Sequence, residues 1–153
     1  MLDSNVQAEL ATILPAAALL VSPEETKPYE CDGLTLFRAQ PSAVLLPETE
    51  AQVAAILKVC NAARIPVVAR GAGTSLSGGA LPDAAGVVLS LAKFRRILAI
   101  DALARTAVVQ PGDVFEIYEY GAADPIPPMV NPDVSYVVPP VTVDSPVGGA
   151  IVS

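Results

Sequence analysis

The chain has 153 residues, nine basic and 16 acidic, and a net charge of −7. That length fits about one domain, its 52% hydrophobic content suffices for a core, and a pI near 4.4 without a basic cluster excludes charge-driven binding of phosphate backbones. With no histidine, Ser-His-Asp and Cys-His hydrolysis and His-ligated metal sites are excluded, and Cys31 and Cys60 are too few for a disulfide framework or a Cys-only zinc site.

The charge is uneven. Met1 to Gly112 carries nine basic and ten acidic residues, whereas residues 113–153 carry six acidic residues and no basic one. The two cysteines read as reduced core thiols. Asp3 and Glu9 at the N-terminus, with no early Lys or Arg, oppose a secretory signal. The best apolar run, Ala16 to Val21, is far short of the roughly 20 residues a membrane span needs. A cytoplasmic location without a transmembrane segment or nucleic-acid partner is therefore expected.

Ser4 to Leu14 places Val6, Leu10, Ile13 and Leu14 at helical spacing before Pro15. Pro23 to Gly33 reads as a polar connector, and Ala43 to Leu46 as a strand closed by Pro47. Thr49 and Gln52 form a T-x-x-Q capping box that opens a helix with a Val53, Ile56, Leu57 and Cys60 stripe, ending before Pro66. Val67 to Ala69 and Val87 to Leu91 read as buried strands on either side of a loop, Gly71 to Gly79, with four glycines in nine residues. Ile97 to Ile100 and Thr106 to Val109 pair as a hairpin across the Asp101–Arg105 turn. The order predicts a small parallel sheet with a βαβ crossover, followed by an antiparallel hairpin.

Beyond Gly112, Asp113 and Glu116 suggest a capped helix to about Tyr120, with Phe115, Tyr118 and Tyr120 as partial core. Pro125, Pro127, Pro128 and Pro132 forbid regular structure, Tyr136 to Val138 reads as extended, and Pro139 and Pro140 break it. Lys93, Arg95 and Arg96 read as a solvated basic face, and Asp101 as a turn residue.

The main chemical signal is the loop. Gly71, Gly73, Gly78 and Gly79 permit unusual backbone angles and close ligand approach, and successive N–H groups in such a loop form an anion-binding nest. Thr74, Ser75 and Ser77 add hydroxyls and Arg70 adds a positive charge, a set suited to phosphate or pyrophosphate. No Gly-Lys-Ser/Thr follows, so this is not a P-loop. The third glycine of G-x-G-x-x-G is replaced by Leu76, and G-x-S-x-G fails at Ser77. A surface loop that binds nothing stays open on spacing alone.

Residues 29–112 closely resemble the start of the FAD-binding domain of the glycolate oxidase FAD-linked subunit. The wider family includes D-lactate dehydrogenases and vanillyl-alcohol-oxidase-type flavoproteins. The stretches that carry this are Tyr29-Glu-Cys-Asp-Gly33, Val44-Leu-Leu-Pro47, Gln52-Val53, the run from Pro66 to Pro82, and Val109-Gln-Pro-Gly112. The resemblance implies an α+β fold with an α/β-like start. It implies a PCMH-type FAD-binding domain whose first subdomain has a small parallel sheet and helices, and whose second is incomplete. It implies FAD as cofactor, with Arg70, Gly71, Ala72, Gly73, Thr74 and Ser75 at the centre of the pyrophosphate site and Gly78 and Gly79 closing it. Pro139 with Val147, Gly148 and Gly149 resembles the family's second FAD segment, although Ala150 stands where Asn usually follows the glycine pair.

These likenesses divide the chain into an N-terminal helix and connector (1–28), the first part of the FAD-binding domain (29–112) and a Pro-rich acidic tail (113–153). The expected function is the FAD-binding portion of a flavin-dependent 2-hydroxy-acid oxidoreductase of glycolate or D-lactate dehydrogenase type. The family's substrate and metal-binding histidines lie outside this sequence, so no catalytic or metal residue is assigned. Uncovered strand edges and apolar faces point to self-association, and the resemblance implies other subunits of a glycolate oxidase-like complex as partners. A non-catalytic fragment acting at most as an interaction module remains the alternative.

Overall fold

The computed structural model describes residues 2–101, 104 and 106–112, and the backbone of 115–116 and 151–152. Helix α1 spans Ser4–Ile13, and Asp3 caps it by accepting from the Asn5 N–H. Strand β1 (Leu19–Leu20) follows a short turn. The segment read as a connector instead begins with a one-turn helix, α2 (Pro23–Thr26). Ser22 and Glu25 form a reciprocal capping box, and Pro23 sits where its missing N–H costs nothing. Gln40 Nε2 then donates to Pro23 O and Thr26 Oγ1, fastening the turn to the chain beyond.

Strand β2 (Ala43–Leu45) leads through Thr49 into α3 (Glu50–Ala62). The expected capping box is present, and Gln52 does more than cap. Its Oε1 accepts from Glu48 and Thr49, and its Nε2 donates to Ile13 O at the end of α1. The stripe is rotated from the expected one. Ile56, Val59 and Cys60 are buried, Val53 packs beside them, and Leu57 is exposed. Helix α1 packs against α3, and its Leu10 joins Ile56, Val59, Cys60 and the sheet residues in one buried cluster. Burial pushes the Cys60 thiol above its ordinary pKa, while Cys31 is only partly buried; both are free thiols.

Strands β3 (Val67–Arg70) and β4 (Val87–Ser90) complete a four-stranded sheet in the order β1-β2-β4-β3. Strand β4 runs parallel to both β2 and β3, and β1 pairs antiparallel with β2. The βαβ crossover thus skips one position, which β4 fills. Residues 87–90 are buried throughout, whereas β3 lies at the sheet edge and is only partly buried. A central parallel strand is covered on both faces and reads as a continuous apolar run. Ala43, Leu45, Val87 and Leu89 face Leu10, Ile56 and Cys60 in the core, while Val44 and Val88 are buried on the opposite face.

Strands β5 (Ile97–Asp101) and β6 (Thr106–Val109) form the expected antiparallel hairpin, and Asp101 Oδ1 accepts the Ala104 N–H as a turn residue. Leu98, Ile100 and Val108 are exposed among the described residues. The expected helix from Asp113 is not formed at Phe115–Glu116. These residues make strand β7, antiparallel to β8 (Ile151–Val152). Phe115 is followed by a strand-prone run of aromatic and β-branched residues, and pairing with a distant segment outweighs the local capping signal. The remainder of that expected helix and Tyr136 to Val138 lie outside the described residues.

Candidate functional site: the glycine-rich loop

Strand β3 delivers Arg70 to the C-terminal edge of the sheet, where the chain enters the loop. Ser90, at the same end of β4, pairs with Arg70. The Leu91 N–H donates to Arg70 O (2.8 Å), and the Gly112 N–H donates to Phe94 O (2.7 Å), drawing 110–112 against this edge. A Cβ on Gly71 would lie 2.5 Å from Pro111 O, and one on Gly112 would overlap the Leu91 and Phe94 carbonyls. These two glycines therefore serve close backbone packing. Left-handed backbone is used at Gly73 (φ +77°) and Gly78 (φ +76°), not at Gly71 or Gly79.

The loop divides into two parts. In the second, Ser75 Oγ accepts from the Ser77 and Gly79 N–H groups (both 3.3 Å), so these donors are already engaged. In the first, the N–H groups of Ala72, Gly73, Thr74 and Ser75 donate to no acceptor among the described residues. Oriented, unpaired backbone donors beside a cation are the chemistry of an anion site. Arg70 folds back over this part. Its Nη1 donates to Cys31 O (2.6 Å), its Cζ stands 5.5 Å from the Tyr29 ring centroid, and a Cβ on Gly73 would overlap the guanidinium. Among the described residues, nothing lies within 4 Å of the position a Gly78 Cβ would take. A diphosphate ester fits these features, because exposed N–H donors, an arginine and side-chain-free approach coincide on one short segment.

A groove of about 410 Å³ opens at this edge, lined by Tyr29, Arg70, Gly71, Ala72, Ser90 and Arg95 among others. Three of the expected residues, Arg70, Gly71 and Ala72, line it; Gly73, Thr74, Ser75, Gly78 and Gly79 continue along the loop outside its lining. Pro139, Val147, Gly148 and Gly149 lie outside the described residues. Arg95 was read as part of a solvated face, and it is exposed, but it also borders the groove. Beside it, Lys93 pairs with Glu48, and Arg96 bonds Gln110. No local signal separates Arg95 from them. Ser90 was hidden in an apolar strand, whereas Tyr29 stood in one of the resembling stretches. A second groove, about 290 Å³, lies at the opposite strand ends between Val6, Ser42 and Ile65, and is mainly apolar.

Comparison with known proteins identifies the family. A family described as "FAD binding domain" matches residues 41–124. Over 109 residues the chain is 50% identical to the glycolate oxidase subunit GlcD of Escherichia coli strain K12, covering 71% of this chain and 22% of that protein. Over 114 residues it is 33% identical to the D-2-hydroxyglutarate dehydrogenase of Stutzerimonas stutzeri, covering 74% and 25%. Among solved structures, a 4-ethylphenol oxidase from Gulosibacter chungangensis superposes with a TM-score of 0.64 at 27% identity, over 72% of this chain and 22% of that one. The chain thus spans about a quarter or less of the length of these relatives. No helix among the described residues is long and apolar enough to cross a membrane. On its PCMH-type α+β scaffold, the chain belongs to the FAD-binding domain family, with FAD as its cofactor.

Proposed function

We propose that this chain is the FAD-holding portion of a flavin-dependent oxidoreductase acting on a 2-hydroxy acid, of the glycolate or D-lactate type. Support for the substrate class comes from the names of the relatives, a glycolate oxidase subunit and a D-2-hydroxyglutarate dehydrogenase. The observation that carries the cofactor role is the run of Ala72–Ser75 N–H groups that meet no acceptor among the described residues, with the Arg70 guanidinium lying against Gly73.

The isoalloxazine ring, when bound, supplies the electron-accepting chemistry, and the protein supplies binding and orientation. In this reading the Ala72, Gly73, Thr74 and Ser75 N–H groups donate to pyrophosphate oxygens. Arg70 offsets their charge, and Gly78 and Gly79 leave room for the ligand to approach. Pro139, Val147, Gly148 and Gly149 add a second contact. The chain's own residues then hold and orient the cofactor, while substrate is handled by parts of the enzyme beyond this sequence. The 29–112 segment forms the first part of the FAD domain, preceded by the 1–28 helix and connector and followed by the 113–153 tail. A cytoplasmic enzyme associating with itself or with other subunits completes the reading.

The test is direct. Purified chain is incubated with FAD and passed through gel filtration. Flavin absorbance that travels with the protein is the expected result, and a flavin-free protein peak overturns the reading. Reduction of the bound flavin by 2-hydroxy acids is then expected only in the longer enzyme.

A further inference from the structure

The loop is held from outside by a four-residue turn some forty positions earlier in the chain. Cys31 O accepts from Arg70 Nη1 (2.6 Å) at the start of the loop. The Leu34 N–H donates to Ser75 O (3.1 Å) at the end of its unpaired stretch. Between them, Gly33 presses on the loop backbone: a Cβ there would lie 2.9 Å from Thr74 O and 3.0 Å from Ser75 O. Asp32 closes the turn from within. Its Oδ1 accepts the same Leu34 N–H (2.9 Å), so that donor is shared between the carboxylate and the loop. Asp32 is 4% exposed, and its Oδ2 has no hydrogen-bond partner among the described residues.

A buried carboxylate oxygen without a partner is costly to stability. We propose that the Cys31–Leu34 turn is a brace that preorganises the pyrophosphate loop, with Asp32 as its positioning residue. The inference rests on the FAD reading for its ligand, but its physical content is the order of the loop. A glycine-rich segment has more backbone freedom to lose than any other, so fixing Gly71–Ser75 before binding removes a cost that the ligand would otherwise meet. The turn bonds the Arg70 side chain ahead of that segment and Ser75 O at its end, and the Ala72–Ser75 N–H groups meet no acceptor among the described residues.

Three variants test this in the full chain: Asp32→Ala, Asp32→Asn and Gly33→Ala. FAD affinity is read by titration. Backbone order of Gly71–Ser75 is read by NMR relaxation without FAD, with β2 and β4 as internal reference. Asp32→Ala and Gly33→Ala are expected to weaken FAD binding about tenfold, the scale of one net hydrogen bond, and to lower the order of the loop while β2 and β4 stay rigid. Asp32→Asn, which keeps the acceptor for Leu34, is expected to restore both readouts. Unchanged loop order in Asp32→Ala and Gly33→Ala overturns the brace, as does an Asp32→Asn chain as impaired as Asp32→Ala. Should Asp32→Ala fail to fold, Gly33→Ala and Asp32→Asn decide alone. A wild-type chain that binds no FAD sinks the cofactor reading, while the relaxation measurement still judges the brace.

Discussion

Arg70 lies across Gly73. The guanidinium that bonds Cys31 and faces Tyr29 occupies the space a Gly73 side chain would need, and Gly73 itself sits at φ +77°. Sequence reading valued the arginine for its charge and the glycine for its freedom. Their packing joins the two: the arginine is held over the unpaired N–H groups because the residue beneath it has no Cβ.

Three glycines of the loop should therefore respond differently to alanine. Gly73→Ala meets both an unfavourable backbone and the Arg70 side chain, so it should weaken FAD binding most, by tenfold or more as an order-of-magnitude figure. Gly78→Ala meets open space but keeps the left-handed backbone, costing roughly 1–2 kcal/mol. Gly79→Ala places its Cβ at an ordinary 3.4 Å from Ser75 Oγ and should leave thermal stability nearly unchanged, its effect falling on FAD binding alone. FAD titration and thermal unfolding of the three variants check the order.

Leu45 and Leu57 form a second contrast. Leu45 is fully buried in β2, and Leu45→Ala should cost about 2–5 kcal/mol. Leu57 was expected in the core and is 43% exposed, so Leu57→Ala should cost well under about 1 kcal/mol. Denaturant unfolding of both variants measures the difference.

The Gln52 side chain serves two helices. Thr49→Ala removes one cap of α3 and should cost about 1 kcal/mol. Gln52→Ala also releases Ile13 O at the end of α1, and should cost more than Thr49→Ala. Equal losses would show that the tie to α1 contributes nothing.

Glu25 carries a pH signature. Hydrogen bonds from the Ser22 backbone and side chain hold its carboxyl below the ordinary glutamate pKa. Because the folded value is the lower one, the stabilisation is fully present above the ordinary glutamate pKa. It is lost as pH falls from that value through the lowered one. The group is exposed, so the effect is small. The unfolding midpoint of wild type should exceed that of Glu25→Gln near neutrality, and the gap should close through that acidic window.

What the chain wrote into its sequence is what neighbouring residues settle among themselves. Thr49 and Gln52 cap α3 through bonds spanning three residues, and Asp101 turns the β5–β6 hairpin through its own carboxylate. The glycine-rich run announces a loop fit for phosphate because glycine chemistry is local. Even α2 was legible, since Ser22 and Glu25 have capping-box spacing, although the proline and charges around them read as connector. Tertiary structure alone decided the rest. Strand β4 entered between β2 and β3, Val59 rather than Leu57 entered the core, and Phe115 paired with Val152 instead of continuing from a helix cap. Likewise, only folding brought Tyr29, Ser90 and Arg95 to one groove and set Cys31 and Leu34 against the two ends of the loop. The physical reason is range. Caps and turns close over a few bonds, whereas strand order, burial and the shape of a binding site depend on contacts between segments far apart in the chain, whose partners no local pattern names.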